Sequence, residues 1–343
     1  MDESPQMLLT ANFLNTVVVE AHNYGQVFQE LNSVFLVLSI LWTGQCLFVD
    51  NGNPYTDGPL RIGELSLAKT IVKSPLHSKV FFPLKPDTYA AVYFIGGLGG
   101  LVPTETYEIF LSKVASHGFF VFGVDILFPA YSDSKRASKF PGKRTEGDTV
   151  EKLYSQLVWL KSYMRNQTES TIDWNQLALV CHSAGCDETL RLIHGNHTMY
   201  TAAAFLEPYS KNAKTRMTFQ MPALMYGTEL SEEGVHCAVK GLDWNQFYNV
   251  WQCPRIKLEA IGFGHCDILD PEAWEGCHVT HFCKTTNDTR LAEYRQFIQG
   301  VVSSFLMTTL QGRTDAISYI SNINSIPLPV MDLKSDFNCS LMN

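Results

Sequence analysis

From about residue 77 onward, short unbroken apolar runs alternate with longer stretches whose apolar residues recur at helical spacing. Val80–Phe82 and Ala90–Ile95 predict strands, the second ended by Gly96 and Gly97. Thr104–Ser116 predicts a helix with Ile109, Phe110, Lys113 and Val114 on one face and Gly118 as its stop. Phe119–Val124 predicts a buried strand that reaches Asp125, and residues 129–148, rich in Pro, Ser, Lys, Arg and Gly, predict a loop. Val150–Arg165 then places Leu153, Leu157, Leu160 and Met164 along one side of a helix. Next come strand Leu177–Val180, helix Ala184–His194, strands Ala202–Leu206, Pro222–Tyr226 and Ile256–Ile261, and a long helix over Leu291–Leu310. Strands alternating with helices imply right-handed crossovers and a mostly parallel central sheet with helices on both faces, an α/β architecture. The strands are apolar throughout, as expected when both faces are covered.

Composition adds bounds. The chain has 343 residues, 45% hydrophobic and 17% charged, which is ample for a large core. Nothing in its middle reads as a linker, so residues 51–343 are expected to form one domain behind an N-terminal segment, 1–50. The net charge is −8 and no Lys/Arg stripe appears, which argues against a nucleic-acid partner. Residues 1–32 hold no Lys or Arg; the apolar run Val34–Trp42 follows, then Thr43–Phe48. That run falls short of the ~20 residues a spanning helix needs and reads as the core of a signal peptide. Three readings of 33–48 compete: a signal behind a wrongly chosen start, a signal anchor that associates with the membrane, and a simple apolar helix. The first is favoured and implies a secreted glycoprotein, as do sequons at Asn166, Asn196, Asn287 and Asn338 and nine cysteines. Cleavage after Cys46 would leave eight, an even number that permits disulfides of undetermined pairing.

The candidate chemistry begins at Leu177-Ala-Leu-Val-Cys-His-Ser-Ala-Gly-Cys186. A strand, a tight turn and a helix place Ser183 at the apex of a nucleophile elbow, where small neighbours let strand and helix approach. The usual first glycine is Cys181 here, a small stand-in, and the second is Gly185. A serine needs an adjacent base. His265, in Gly262-Phe-Gly-His-Cys-Asp just after the strand ending at Ile261, has the right placement. His182 reads as an oxyanion-side or core residue. Two carboxylates compete for the acid that orients the base: Glu207 after Ala202–Leu206, and Glu229 after Pro222–Tyr226. The oxyanion-hole amides are expected from Ala184 and from Leu98 in the loop Gly96-Gly-Leu-Gly-Gly100. That loop is not Gly-x-Gly-x-x-Gly and no Walker lysine follows, so a nucleotide site is not expected. No cofactor or metal is called for. Cys277, His278, His281 and Cys283 hold four ligand-type side chains within one short segment, but zinc sites usually pair two separated segments, so a disulfide or surface loop is the preferred reading. Phe128, Trp251 and Phe263 are candidates to line an apolar pocket.

Tyr93-Phe-Ile-Gly-Gly, Ala115-Ser-His-Gly-Phe-Phe-Val-Phe-Gly-Val-Asp125, Cys181-His-Ser-Ala-Gly and Gly262-Phe-Gly-His-Cys-Asp-Ile-Leu-Asp270 together resemble the chlorophyllase family, a branch of the α/β-hydrolases near the cutinases. The resemblance covers most of residues 65–337. It implies the α/β-hydrolase fold and metal-free cleavage, by a serine, a histidine and an acid, of the ester joining a tetrapyrrole to phytol. The family's acid stands in an Asp-Pro pair after the strand that follows the nucleophile helix; Glu207-Pro208 occupies that place, which tips the choice to Glu207. Cys181, Ala184 and Cys186 depart from the plant pattern Gly-His-Ser-Arg-Gly-Gly, so a different lipophilic ester is the competing substrate. Two other readings stand beside this one: a non-catalytic binding protein on the same fold, and a lipid or phospholipid-type esterase. Oligomeric state is not legible.

Overall fold

Apolar runs of β-branched and aromatic residues build a nine-stranded sheet in the computed structural model, ordered β1-β2-β4-β3-β5-β6-β7-β8-β9. The structure describes residues 52–100, 102–126, 146–233 and 237–337. The 33–48 run, Phe128 and Asn338 lie outside these. The elements are β1 (Ile62–Leu67), β2 (His77–Pro83), β3 (Thr88–Ile95), α1 (Glu108–Ser116), β4 (Phe119–Asp125), α2 (Glu146–Tyr163), β5 (Thr171–His182), α3 (Gly185–Asn196), β6 (Ala202–Leu206), β7 (Ala223–Thr228), α4 (Trp244–Val250), β8 (Arg255–Ala260), α5 (Pro271–Thr280), α6 (Leu291–Leu310) and β9 (Val330–Asp336). Strands β3 to β8 run parallel, while β1, β2 and β9 are antiparallel to their neighbours. This topology, with helices on both faces, is the α/β-hydrolase fold.

Alternation along each strand assigns side chains to two cores. Val92, Phe94, Val121 and Val180 pack under α1 and α6, against Phe110, Leu111, Phe297 and Val301. Ala91, Tyr93, Ile95 and Leu179 pack on the other face, against Leu157, Leu160, Leu190 and Phe247 of α2, α3 and α4. Trp251 belongs to this second core, edge-on to Phe205 with its indole N–H donating to the Met221 carbonyl, so it fills the interior and does not line a pocket. Among the described residues no helix is long and apolar enough to cross a membrane.

The structure adds elements that periodicity did not reveal. β1 and β9 are half-exposed edge strands whose polar residues, such as Glu64, Asp332 and Lys334, mask the strand pattern. β5 begins at Thr171 because the polar segment before Leu177 still pairs with β3, across a register shift at Ala90/Ala91. α4 is capped by Asp243, whose carboxylate accepts the Asn245 and Gln246 N–H groups.

Among the described residues seven cysteines are disulfide-bonded. The described pairs are Cys181–Cys186, Cys237–Cys283 and Cys266–Cys277. Cys237 and Cys283 are 46 residues apart, against 5 for Cys181 and Cys186. Loop-closure entropy makes the longer link worth about 4 kcal/mol and the shorter about 2 kcal/mol. A Cys237→Ser/Cys283→Ser protein is therefore expected to unfold at clearly lower urea than the wild type, by about 4 kcal/mol in extrapolated stability. An unchanged midpoint would remove this link from the account of stability.

Candidate active site

The catalytic candidates all sit where parallel strands end. β5 runs to His182, Ser183 turns the chain, and α3 starts at Gly185. Ser183 adopts φ 57, a left-handed conformation that costs an L-residue energy and persists only where the surroundings enforce it. The enforcement is visible. Its N–H donates to the Leu206 carbonyl at 3.0 Å, and its own carbonyl accepts N–H groups from Cys186 and Tyr209, each at 3.1 Å. Gly185 lets α3 press against the end of β3: a Cβ there would stand 2.3 Å from the Gly96 carbonyl oxygen. Cys181, read from sequence as a small stand-in for glycine, is half of a disulfide to Cys186, and both residues are fully buried. The link spans the turn that carries Ser183.

His265 lies in the loop after β8 and is buried. Asp267, fully buried beneath that loop, accepts the Gly264 N–H at 2.7 Å, the Thr286 N–H at 3.0 Å and the Trp274 indole N–H at 2.8 Å. Burial pushes the Asp267 carboxyl up to about 6, and these three donors oppose the shift. Asp267 thus ties the histidine loop to α5 and to the segment after it. The sequence shows this aspartate two residues after His265, but a carboxylate near a candidate base gives no sign that it is a scaffold. Gly264 completes the packing: a Cβ there would lie 1.9 Å from the Lys284 carbonyl oxygen. Gly264→Ala is expected to displace His265 and cut turnover by roughly a hundredfold, the cost of about 1 Å of misplacement. An esterase assay at full folding that finds wild-type turnover would refute this.

Glu207 and Glu229 part ways in the structure. Glu207 follows β6 with φ 49, held by its N–H donating to the Tyr226 carbonyl at 2.7 Å. Its Oε2 lies 3.4 Å from His265 Nδ1, and its Oε1 is buried without a hydrogen-bond partner among the described residues. Glu229 instead accepts the Gly262 N–H at 2.8 Å. Among the described residues Ser183 Oγ makes no hydrogen bond, so any link to His265 has to form when a substrate is bound; such contacts commonly tighten only then.

The glycine loop after β3 forms one helical turn, Gly97–Gly100. Its Leu98 has φ 50 and is half exposed. The loop stands against the nucleophile: a Cβ on Gly97 would be 3.4 Å from Ser183 Cβ. Leu98 lies in the first turn of its short helix and Ala184 is the N-cap of α3, positions whose N–H groups have no intrahelical acceptor. Gly97 N–H differs, donating to the Tyr107 hydroxyl at 3.0 Å. His182, read from sequence as oxyanion-side or core, is buried, with Nδ1 2.9 Å from that hydroxyl and its ring 4.6 Å from the His265 ring.

The remaining candidates resolve into structure. Cys277 and Cys283 bond to Cys266 and Cys237, with the sulfurs of Cys266, Cys277 and Cys283 within 4.8 Å of one another, and His278 pairs with Thr285 and stacks on Trp274. The segment they share is helical over Pro271–Thr280, with Pro271 in the first turn, where the sequence suggested a loop. Phe263 is fully buried and stacks on Tyr294.

A family model described as Chlorophyllase matches residues 52–335. The chain is similar to chlorophyllase type 0 of Chenopodium album, 22% identical over 312 residues, covering 82% of this chain and 84% of the relative. It is similar to cutinase 1 of Thermobifida cellulosilytica, 27% identical over 248 residues, covering 71% and 85%. It is also similar to chlorophyllase-1 of Arabidopsis thaliana, 22% identical over 287 residues, covering 75% and 83%.

Proposed function

Because the chain belongs to the chlorophyllase family of ester hydrolases, we propose that it is a serine carboxylesterase that cleaves a lipophilic ester through an acyl-enzyme on Ser183. The observations that carry this reading are the strained, enforced turn at Ser183 and, with its ring 4.6 Å from that of the neighbouring His182, the buried His265, whose Nδ1 lies 3.4 Å from the buried Glu207 carboxylate. In the proposed reaction His265 takes the Ser183 proton as Oγ attacks the ester carbonyl. Glu207, beside Nδ1, holds the tautomer that leaves Nε2 able to accept, and stabilises the imidazolium that forms. Negative charge develops on the carbonyl oxygen, and the Leu98 and Ala184 amides are assigned to receive it. Gly97 is excluded from that role because its N–H is committed to Tyr107. His265 then gives the proton to the departing alcohol, leaving acyl-Ser183. Water repeats the sequence and releases the acid.

For the substrate, the chlorophyllase relatives support the phytyl ester of chlorophyll, cleaved to chlorophyllide and phytol. The higher identity to a cutinase favours, as the second reading, an ester without a tetrapyrrole. The test is hydrolysis of p-nitrophenyl esters of increasing chain length beside chlorophyll a. Chlorophyllide formation supports the first; turnover of the simple esters alone supports the second. A folded protein inert to every ester moves the reading to a non-catalytic binder. Passage through the secretory route is part of the proposal. The three described disulfides suit an oxidising compartment, and Asn166, Asn196 and Asn287 are all exposed.

A further inference from the structure

We propose that Tyr107 and His182 are positioning residues that hold the glycine loop after β3 against Ser183; this rests on the hydrolase reading above. Tyr107 lies in the turn Thr104–Tyr107 that leads into α1 and is fully buried. Its ring sits edge-on to Phe94 at 4.9 Å, a contact that phenylalanine would make equally well. The hydroxyl is what packing does not explain. It meets the Gly97 N–H at 3.0 Å on one side and His182 Nδ1 at 2.9 Å on the other. The three groups converge on one spot, since a Cβ on Gly97 would lie 3.2 Å from the hydroxyl, 3.3 Å from Nδ1 and 3.4 Å from Ser183 Cβ.

Proton accounting fixes the direction of the chain. A phenol has one proton to give and two lone pairs. Gly97 donates to one lone pair. Burial raises the Tyr107 phenol well above its ordinary range, so its proton stays on. Burial, with His265 adding to it, holds the His182 imidazole well below its usual value, so it is neutral. With the phenol proton directed at Nδ1, the His182 N–H falls on Nε2, which is buried without a hydrogen-bond partner among the described residues. The run is therefore Gly97 N–H to Tyr107 O–H to His182 Nδ1. It joins the amide just before Leu98 to the residue just before Ser183. A neutral His182 also keeps a second positive charge away from His265 when the imidazolium forms, because the two rings are 4.6 Å apart.

The turn that carries Tyr107 is itself anchored. Asp125, at the end of β4, accepts both the Thr104 N–H at 2.8 Å and the Thr104 hydroxyl at 2.7 Å, fixing the turn that presents Tyr107. Without the Tyr107 hydroxyl a buried Gly97 N–H would lose its acceptor, and the chain would turn to find another. That movement would displace Leu98 from the place where oxyanion charge develops.

The deciding experiment compares Tyr107→Phe with wild type in kcat, KM and the rate at which a fluorophosphonate labels Ser183. The expected result is a fall in kcat of about tenfold to a hundredfold, below the ~10²–10³ for losing a direct oxyanion donor. KM should change little, and labelling should slow in parallel. A merely structural hydroxyl would lower the melting temperature and leave both rates of the folded protein intact, which overturns the proposal. His182→Asn, whose amide oxygen can stand where Nδ1 does, should retain more activity than His182→Leu. If Tyr107→Phe does not fold, equal activity in those two variants overturns the proposal. Wild-type protein that the probe does not label overturns the hydrolase reading and this one together. A labelled wild type with an equally labelled Tyr107→Phe overturns the positioning role alone.

Discussion

Ser183→Ala is expected to lower ester hydrolysis by at least about 10⁴-fold and to leave the melting temperature nearly unchanged. The size follows from the role. Without Oγ there is no acyl-enzyme, and only binding and oxyanion stabilisation remain to accelerate attack by water. The stability expectation follows from what holds the turn. The left-handed backbone at Ser183 is enforced by main-chain bonds to Leu206, Cys186 and Tyr209, none of which uses the side chain. Alanine carries the same positive-φ strain as serine, so little is gained or lost. Circular dichroism and a chain-length series of esters measured on both proteins check the two halves together. Substantial residual turnover in the purified variant would sink Ser183 as the nucleophile.

Glu207→Gln is expected to cost about 10³–10⁴ in kcat, whereas Glu229→Gln costs only a few fold. Glutamine at 207 preserves shape but cannot stabilise an imidazolium, and its amide favours the wrong tautomer of His265. The carboxylate now there has Oε2 3.4 Å from Nδ1, while Oε1 is buried without a partner among the described residues, so His265 is the side chain this carboxylate meets there. Glu229 acts on the backbone, through the Gly262 N–H at 2.8 Å, and glutamine can still accept that bond. Side-by-side kcat and KM values for the two variants decide it. A larger loss in the Glu229 variant means that the acid has been assigned to the wrong strand end.

The sequence by itself determined the layered α/β plan and the positions of Ser183 and His265. Both signals are local. A continuous apolar strand followed by Ser183, a small residue and Gly185 can only turn sharply, and a Gly-flanked histidine after the last parallel strand needs no distant information to be noticed. The exposed edges β1 and β9 escaped because water-facing polar residues, Glu64 and Ser66 in one and Asp332, Lys334, Ser335 and Asp336 in the other, interrupt the apolar pattern. Three matters were left to the tertiary structure. Glu207 and Glu229 each follow a parallel strand, and only the spatial course of their loops separates a carboxylate facing His265 from one capping Gly262. Cys181 looked like a substitute for glycine because sequence gives a cysteine's size but not its partner, and Cys186 became that partner only once the elbow had folded. Tyr107 carried no signal of its own within the predicted helix Thr104–Ser116. Its hydroxyl acquires meaning from Gly97 and His182, which are 10 and 75 residues away along the chain and meet only where β3 and β5 lie side by side.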